Sequence, residues 1–310
     1  KVIEDLPGYR IRKLRFQILP GWWAPALLYE PEKLSGKVPA VVNVNGHGRE
    51  GKALDYKQVR CINLAKRGML ALNVEWIGMG QFKNRMGHYH LAQLDLCGVS
   101  GLAPFYLNCS RALDLLLEHP NADPERVAVA GLSGGGWQTI FFSSLDHRVK
   151  LANPVAGYSS FKTRTRHLSD LGDSEQTPND LATVADYSHL TAILSDRALL
   201  ITKNAKDTCC FAAPHSLPPL MAAAKPKFAL LGREKFLRSH VNHDPGTHNF
   251  DKDNRQQFYR MVGDVFYPGN KSFDWKEIPS DKEVKSYDEL LVPLPEDNLD
   301  FNKIALRLAK

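Results

Sequence analysis

The segment Arg126-Val-Ala-Val-Ala-Gly131-Leu132-Ser133-Gly134-Gly135-Gly136-Trp137 is the most informative part of this sequence for its fold. A short apolar strand here runs into Gly-x-Ser-x-Gly, and the residues that follow suit a helix. A serine on so tight a turn needs neighbours without a Cβ atom, which Gly131 and Gly135 provide. The pattern is typical of a nucleophile elbow, in which the serine hydroxyl projects above a sheet. The alternative is a glycine-rich turn that only starts a helix.

Strands and helices alternate along the rest of the chain. Apolar runs predict strands at residues 38–44, 70–76, 151–156, 198–202 and 227–231, and other segments predict helices at residues 55–66, 104–118, 138–145, 211–224 and 251–265. Residues 301–308 form a short amphipathic end. Residues 11–18 and 26–29 open the chain as an antiparallel pair. This alternation predicts an α/β fold with a mostly parallel central sheet, helices on both faces, and loops gathered at the carboxyl ends of the strands.

The chain has 310 residues, 43% of them hydrophobic, and is long enough to bury one large core. We therefore predict one catalytic domain over residues 1–267. The irregular stretch at residues 159–196 is too long for an ordinary connection and is predicted to form a small cap over the site. Residues 268–310 are polar and dotted with prolines, so they are predicted to be a tail or linker packed on the body.

The formal net charge of +6 comes from lysines and arginines scattered along the chain, without a basic run interleaved with aromatic residues. This pattern argues against a nucleic-acid partner, and no apolar stretch approaches the roughly 20 residues of a membrane span. These charges indicate a solvated surface of mixed charge, and the alternative is a positive surface that favours the approach of an acidic substrate, such as a uronic-acid polymer. The first residue is Lys1 rather than Met, so two alternatives are open for what preceded it, an export signal or an upstream domain. A removed export signal would place the protein in the periplasm or outside the cell, and the localisation stays open.

Five cysteines are too few and too irregular for a disulfide scaffold, and no Cys-x-x-Cys pair indicates zinc. We expect most of them to be reduced and buried. Cys209 and Cys210 are adjacent, and two interpretations are open for them: small packing residues near the site, or a strained vicinal disulfide.

A serine hydroxyl is a weak nucleophile by itself and needs a base, a group that orients the base, and donors for an oxyanion. In sheets with a nucleophile elbow the chain order is serine, acid, histidine. Asp207 follows one predicted strand, and His248 precedes the helix predicted at residues 251–265. Ser133, Asp207 and His248 are therefore the predicted catalytic residues, with Asp173 and Glu175 as rivals for the acid.

No metal and no cofactor is expected for such a site. His240, His243 and Asp244 lie close to His248 in the sequence and could form a metal cluster with it. We favour a site without metal, because a nucleophilic serine needs none and this loop lacks the fixed spacing of a helix.

The glycine-rich loop Asn45-Gly-His-Gly-Arg-Glu-Gly51 follows the strand predicted at residues 38–44. Its backbone amides are predicted to face the same pocket, so the oxyanion donors would be the N–H groups of Gly134 and Arg49. An ordinary glycine turn is the alternative. A phosphate-binding loop is excluded, since neither glycine pattern of such loops opens a helix here.

Four pieces of sequence together carry a family resemblance: His47-Gly48-x-x-Gly51, Gly131-Leu-Ser133-Gly-Gly135, Asp207, and Gly246-Thr-His248. Over residues 25–267 the chain resembles the acetyl xylan esterase and dienelactone hydrolase branch of the α/β-hydrolase superfamily. The resemblance implies an esterase with a small cap that acts on acylated carbohydrates, with Ser133, Asp207 and His248 as its triad and the Arg49 amide in the oxyanion hole. Dienelactone hydrolases themselves use a cysteine nucleophile, so Ser133 disfavours their substrate.

Several side chains near the predicted strand ends are candidates for substrate contacts, and each has a plainer alternative. Aromatic and histidine rings either contact a sugar or pack in the interior, and arginines either hold a carboxylate or are solvated at the surface. The ring candidates are His47, Trp76, Trp137, His88, Tyr89 and His90, and the arginine candidates are Arg85, Arg164 and Arg166.

These features predict a cofactor-independent carboxylic-ester hydrolase that works through an acyl-enzyme on a small-molecule or polysaccharide ester. A carbohydrate O-acetyl ester is the preferred substrate, and a uronic-acid methyl ester is the alternative. A prolyl-oligopeptidase-type peptidase shares this order of residues, but the chain has no propeller repeats. A catalytically inactive fold that serves in binding is the remaining alternative.

Overall fold

The computed structural model describes residues 2–83, 91–178 and 180–310. Its strands are β1 (Val2–Leu6), β2 (Tyr9–Leu19), β3 (Trp22–Pro31), β4 (Val38–Val44), β5 (Leu70–Val74), β6 (Ala122–Leu132), β7 (Leu151–Val155), β8 (Ala198–Asn204) and β9 (Leu237–Asn242). Its helices are α1 (Asp55–Lys66), α2 (Ala92–Leu96), α3 (Ala103–Leu117), α4 (Gly134–Leu145), α5 (Phe161–Arg164), α6 (Leu181–Val184), α7 (Tyr187–Ala192), α8 (Ala213–Leu230), α9 (Lys252–Phe266) and α10 (Phe301–Leu308). Within the described ranges, none of these helices has the length and apolar character needed to cross a membrane.

The chain divides into two compact units, Lys1–Asp123 with Pro279–Lys310, and Pro124–Ile278. In the first unit β1, β2 and β3 are antiparallel neighbours, β3 pairs with β5 antiparallel, and β4 pairs with β5 parallel. The predicted opening pair is therefore confirmed. Helix α1 packs on β3 and β5, and α3 packs on β2, β4 and β5. The predicted domain boundary at residue 267 stays a prediction.

The second unit holds a sheet of parallel strands in the order β6, β7, β8, β9. Residues 127–132 and 151–155 are buried throughout, as strands covered on both faces must be. Helix α4 packs on β7, α8 packs on β8 and β9, and α9 contacts β7, β8 and β9. Because the strands are parallel, the loops after all four gather at one edge, and these loops hold the predicted catalytic residues.

The predicted strand at residues 227–231 is wrong, because these residues lie in the last turn and end of α8. Phe228 is buried, whereas Leu230 and Leu231 are 78% and 51% exposed, and this one-sided burial is typical of a helix. The run of apolar residues resembles that of a buried strand, and Pro226 does not end the helix. The strand β9 instead lies at the edge of the sheet, where its half-exposed polar residues give no apolar run.

Candidate active site

Ser133 lies at the turn between β6 and α4 in a backbone conformation that few residues adopt. Its φ is 60° and its ψ is −128°, so the turn carries strain that the surrounding structure must hold. The Ser133 N–H donates to Val155 O at 2.9 Å, and the Trp137 N–H donates to Ser133 O at 2.9 Å. The serine is half-buried, so solvent reaches part of it at the carboxyl end of the sheet.

Two further glycines let the serine turn and α4 approach the end of β7. A Cβ atom at Gly136 would lie 2.5 Å from Val155 O, and one at Gly157 would lie 2.3 Å from Ser133 O. Contacts this close to backbone atoms are not tolerated, so a side chain at either position would displace the turn. Neither glycine was predicted to have this role, although the run of three glycines after the serine was a signal for Gly136.

Asp207 and His248 lie together in the structure. The ring Nδ1 of His248 is 2.8 Å from Asp207 Oδ2, and the backbone N–H groups of Cys209 and Cys210 donate to Asp207 Oδ1 at 3.1 and 3.3 Å. The Asp207 side chain is fully buried. Burial raises the pKa of this carboxyl, but its bond to His248 and the other donors outweigh burial and hold the pKa below its ordinary value.

A network of buried asparagines positions the loop that carries the histidine. Asn204 at the end of β8 donates to Asn249 O at 3.3 Å and accepts from Asn254 Nδ2 at 2.9 Å. Asn242 at the end of β9 accepts from the Gly246 N–H at 2.8 Å. These residues were not predicted, because a single asparagine gives no sequence signal of partners such as those of Asn204, which are 45 and 50 positions away.

The second ring nitrogen of His248 would be the proton acceptor in the predicted triad. His248 Nε2 is buried and has no hydrogen-bond partner among the described residues, so the Ser133 hydroxyl does not bond it in this conformation. Such bonds are often long in a substrate-free enzyme and shorten when substrate binds. The acid position beside the ring is filled by Asp207, whereas the rivals Asp173 and Glu175 lie in the 159–196 stretch.

Within the part of the chain that the structure describes, His240, His243 and Asp244 do not join His248 in a group of potential metal ligands. His240 Nε2 lies 2.7 Å from Asp253 Oδ2 at the start of α9. His243 and Asp244 are exposed. These side chains therefore contribute to the surface near the site and to anchoring α9.

The two predicted oxyanion donors lie in different units. Gly134 is the first residue of α4, and the N–H groups of the first helical turn have no partner within the helix. Its amide therefore suits an oxyanion next to Ser133. Arg49 is exposed in the first unit, where its carbonyl accepts from the Gly80 N–H at 3.2 Å. The role of Arg49 stays a prediction.

A buried ion pair organises the loop that contains Arg49. Lys52 Nζ lies 3.0 Å from Glu75 Oε2, and both side chains are fully buried. The Lys52 N–H also donates to Glu75 Oε1 at 2.7 Å. Gly51 has a φ of +56°, and a Cβ atom there would lie 1.9 Å from Glu75 Oε1. The loop thus needs glycine at this position. From the sequence, we expected only that the backbone amides of this loop face the pocket.

The predicted sugar contacts Trp76 and Trp137 are only 1% and 0% exposed. The Trp137 indole N–H donates to Tyr187 Oη at 2.7 Å, and the Trp76 ring lies 4.7 Å from the ring of exposed His47. Indole rings that are buried to this extent pack in the interior. Substrate contacts at His47, Trp76 and Trp137 stay predictions.

Arg164 is 2% exposed, so the surface interpretation is wrong for this residue. It donates to Gln176 O at 2.8 Å and stacks 4.5 Å from the Tyr187 ring centroid. The guanidinium therefore ties together the irregular stretch at residues 159–196. Arg166 is exposed. Four of the candidates, Arg85, His88, Tyr89 and His90, lie outside the residues that the structure describes.

Comparison with known sequences places the chain in a family. The sequence profile of the acetyl xylan esterase (AXE1) family matches residues 5–183, more than half of the chain. The chain is also 25% identical over 138 residues to YtaP of Bacillus subtilis (strain 168), a protein named as a hydrolase. That match covers 41% of this chain and 46% of YtaP, so it spans less than half of the relative.

Solved structures show the fold. Methylesterase BT1017 superposes with a TM-score of 0.80 at 19% identity, over 99% of this chain and 66% of that one. Acetyl xylan esterase from Paenibacillus sp. R4 gives a TM-score of 0.60 at 20% identity, over 86% and 87% of the two chains. The predicted α/β-hydrolase fold is confirmed. Because the family profile matches more than half of its length, the chain belongs to the acetyl xylan esterase (AXE1) family of α/β-hydrolases.

Proposed function

We propose that this chain is a serine esterase that removes acetyl groups from carbohydrates. His248 Nε2 takes the proton of the Ser133 hydroxyl as the oxygen attacks the ester carbonyl. Asp207 stabilises the imidazolium through Nδ1, and the Gly134 N–H stabilises the oxyanion. The proton on Nε2 then passes to the departing sugar oxygen. Water, activated by the same nitrogen, releases acetate from the acyl-enzyme and restores the serine.

The observation that carries this proposal is the 2.8 Å contact between His248 Nδ1 and Asp207 Oδ2. A buried carboxylate on Nδ1 fixes the tautomer in which Nε2 is the proton acceptor. Three catalytic side chains in the order serine, acid, histidine follow three strands of one parallel sheet, as the elbow mechanism requires. Membership of the AXE1 family supports the acetyl ester as substrate.

A methyl ester of a uronic acid is the second candidate. The net charge of +6 favours a polymer that carries carboxylates. The same triad cleaves either ester, since only the side of the ester bond that enters the pocket differs. In that reaction methanol leaves first and the uronyl group forms the acyl-enzyme.

A fluorophosphonate probe and a substrate panel test the proposal. The probe should label the parent protein and the Ser272→Ala variant, whose serine is exposed, and should not label Ser133→Ala. The parent should release acetate from acetylated xylan and little methanol from methyl-esterified pectin. Methanol release without acetate would favour the second candidate, and peptide cleavage would favour a peptidase. Failure of the probe to label the parent would point to an inactive fold and contradict the proposal.

A further inference from the structure

Two adjacent thiols lie beside the proposed base. Cys209 Sγ and Cys210 Sγ are 3.2 Å apart, and both cysteines are free. A ring nitrogen of His248 lies within 4.8 Å of both sulfur atoms. Cys209 is exposed and Cys210 is half-buried, so a solute reaches this pair from solvent. The mechanism proposed above uses neither thiol.

The backbone holds these three donors in place before any ligand arrives. Asp207 accepts the N–H groups of both cysteines on one carboxylate oxygen and faces His248 with the other. The turn at residues 207–210 and the histidine loop are therefore fixed to the same buried group. A ligand that binds all three donors needs little reorganisation of the backbone.

Two thiolates and one imidazole are the ligand set that zinc and other thiophilic cations prefer. With Zn–S bonds of about 2.3 Å and Zn–N bonds of about 2.0 Å, neighbouring ligand atoms in a tetrahedral site lie roughly 3.5–3.8 Å apart. The sulfur atoms are slightly closer than this, and the nitrogen lies within 4.8 Å of them. Side-chain movements of about 1 Å would place the three donor atoms at three corners of a tetrahedral site, and water would occupy the fourth corner.

We propose that Cys209, Cys210 and His248 form an inhibitory binding site for a thiophilic divalent cation such as Zn²⁺. The two thiols release their protons to solvent as the metal binds, and no group is oxidised or reduced. Coordination through Nε2 removes the proton acceptor, and coordination through Nδ1 displaces Asp207. Either mode stops the reaction. Metal binding stands on the structure alone, whereas the inhibition rests on the proposed function.

Cobalt and zinc titrations test the site directly. Apo-protein prepared with a chelator should bind one Co²⁺ with a thiolate-to-metal charge-transfer band, and Zn²⁺ should displace it. Calorimetry with Zn²⁺ should show at least tenfold weaker binding for Cys209→Ser, Cys210→Ser and His248→Ala. The matched control Cys97→Ser changes a half-buried cysteine in the other unit and should bind Zn²⁺ like the parent.

Activity measurements separate this proposal from the proposed function. Zn²⁺ should inhibit p-nitrophenyl acetate hydrolysis over the range in which it binds, and a chelator should restore the rate. Ser133→Ala should bind Zn²⁺ like the parent while it lacks activity. An inactive parent that binds Zn²⁺ would contradict the proposed esterase function and support the metal site. An active parent without the cobalt band, or cysteine variants that bind Zn²⁺ like the parent, would overturn the metal site.

Discussion

Single residues at the end of β6 and β7 hold the serine in its strained conformation. Ser133 has a φ of 60°, and Gly157 lies so close that a Cβ atom would come within 2.3 Å of Ser133 O. The motif identified the serine, because Gly-x-Ser-x-Gly after a strand is a local pattern. It did not identify Gly157, because the need for glycine there comes from a contact between segments 24 positions apart.

Replacement of this glycine should damage both stability and turnover. Gly157→Ala forces the serine turn to move, and overpacking of this kind costs about 1–3 kcal/mol. We expect lower unfolding free energy in urea and at least a tenfold loss of esterase activity. Gly232→Ala is the control, because Gly232 has a φ of +62° but nothing within 4 Å of an added Cβ. The Gly232→Ala variant should lose stability but keep its activity. Equal activity in the two variants would show that the contact at Gly157 does not hold Ser133 in place.

Asp207 is the residue that we expect to act as the acid of the triad. Asp207→Asn removes the carboxylate that fixes the His248 tautomer, so kcat should fall by about 10⁴. Asp173→Asn changes the rival carboxylate in the 159–196 stretch and should retain activity within a few-fold. Steady-state kinetics on p-nitrophenyl acetate measure both. A large loss in Asp173→Asn with little change in Asp207→Asn would reverse the assignment.

At the scale of elements, periodicity predicted most strands and helices, and polar or proline-rich segments produced the errors. Strand β4 and helix α1 have the predicted bounds, since each combines a clear pattern with a clear end. Helix α8 continues through Pro218, Pro219 and Pro226, which local rules treat as breaks. Packing against β8 and β9 compensates for the lost hydrogen bonds, and such compensation is invisible in a single segment.

An ion pair across the β2–β3 hairpin makes the stability of the first unit depend on pH. Glu30 on β3 is 2% exposed, lies opposite Arg10, and contacts both Arg10 and Arg12 on β2. Burial raises its pKa, but the hydrogen bonds and charges of the two arginines lower it overall to about 2. An unfolded glutamate has a pKa of about 4.3. The stabilisation is therefore complete above pH 4.3 and is lost as the pH falls towards 2.

Glu30→Gln should lower the unfolding free energy at pH 7 by about 1–3 kcal/mol, because the arginines lose their buried partner. The difference from the parent should shrink between pH 4.5 and pH 2.5. Urea unfolding at these pH values measures it. The same difference at pH 7 and pH 2.5 would show that the charge of Glu30 is not the cause.

At the scale of the whole molecule, the alternation of strands and helices predicted the fold, but not how the chain divides. Residues 279–310 return to the first unit. There the Phe301 ring packs edge-on 6.1 Å from the ring of buried Trp22, and Asn298 exchanges two hydrogen bonds with the Trp23 backbone. Contacts between segments about 275–280 positions apart leave no local signal, so the sequence predicted a packed tail without its partners.

Removal of the Phe301 ring should destabilise the first unit. Phe301 is 1% exposed, and Phe301→Ala leaves a cavity beside Trp22, which costs about 3–5 kcal/mol. Leu308→Ala, at a position 45% exposed on the same helix, should stay within about 0.5 kcal/mol of the parent. Urea unfolding followed by tryptophan fluorescence measures both. A Phe301→Ala variant as stable as Leu308→Ala would mean that the tail does not support this unit.

We attribute the activity to Ser133 as nucleophile, His248 as base and Asp207 as the acid that orients it, with an acetylated carbohydrate as substrate. The measurement to make is kcat/KM for acetate release from acetylated xylan by the parent, Ser133→Ala and Ser272→Ala. We expect the parent and Ser272→Ala to turn over alike, and Ser133→Ala to lose about 10⁴–10⁶-fold with an unchanged unfolding free energy. Acetate release by Ser133→Ala at a rate near that of the parent would show that Ser133 is not the nucleophile.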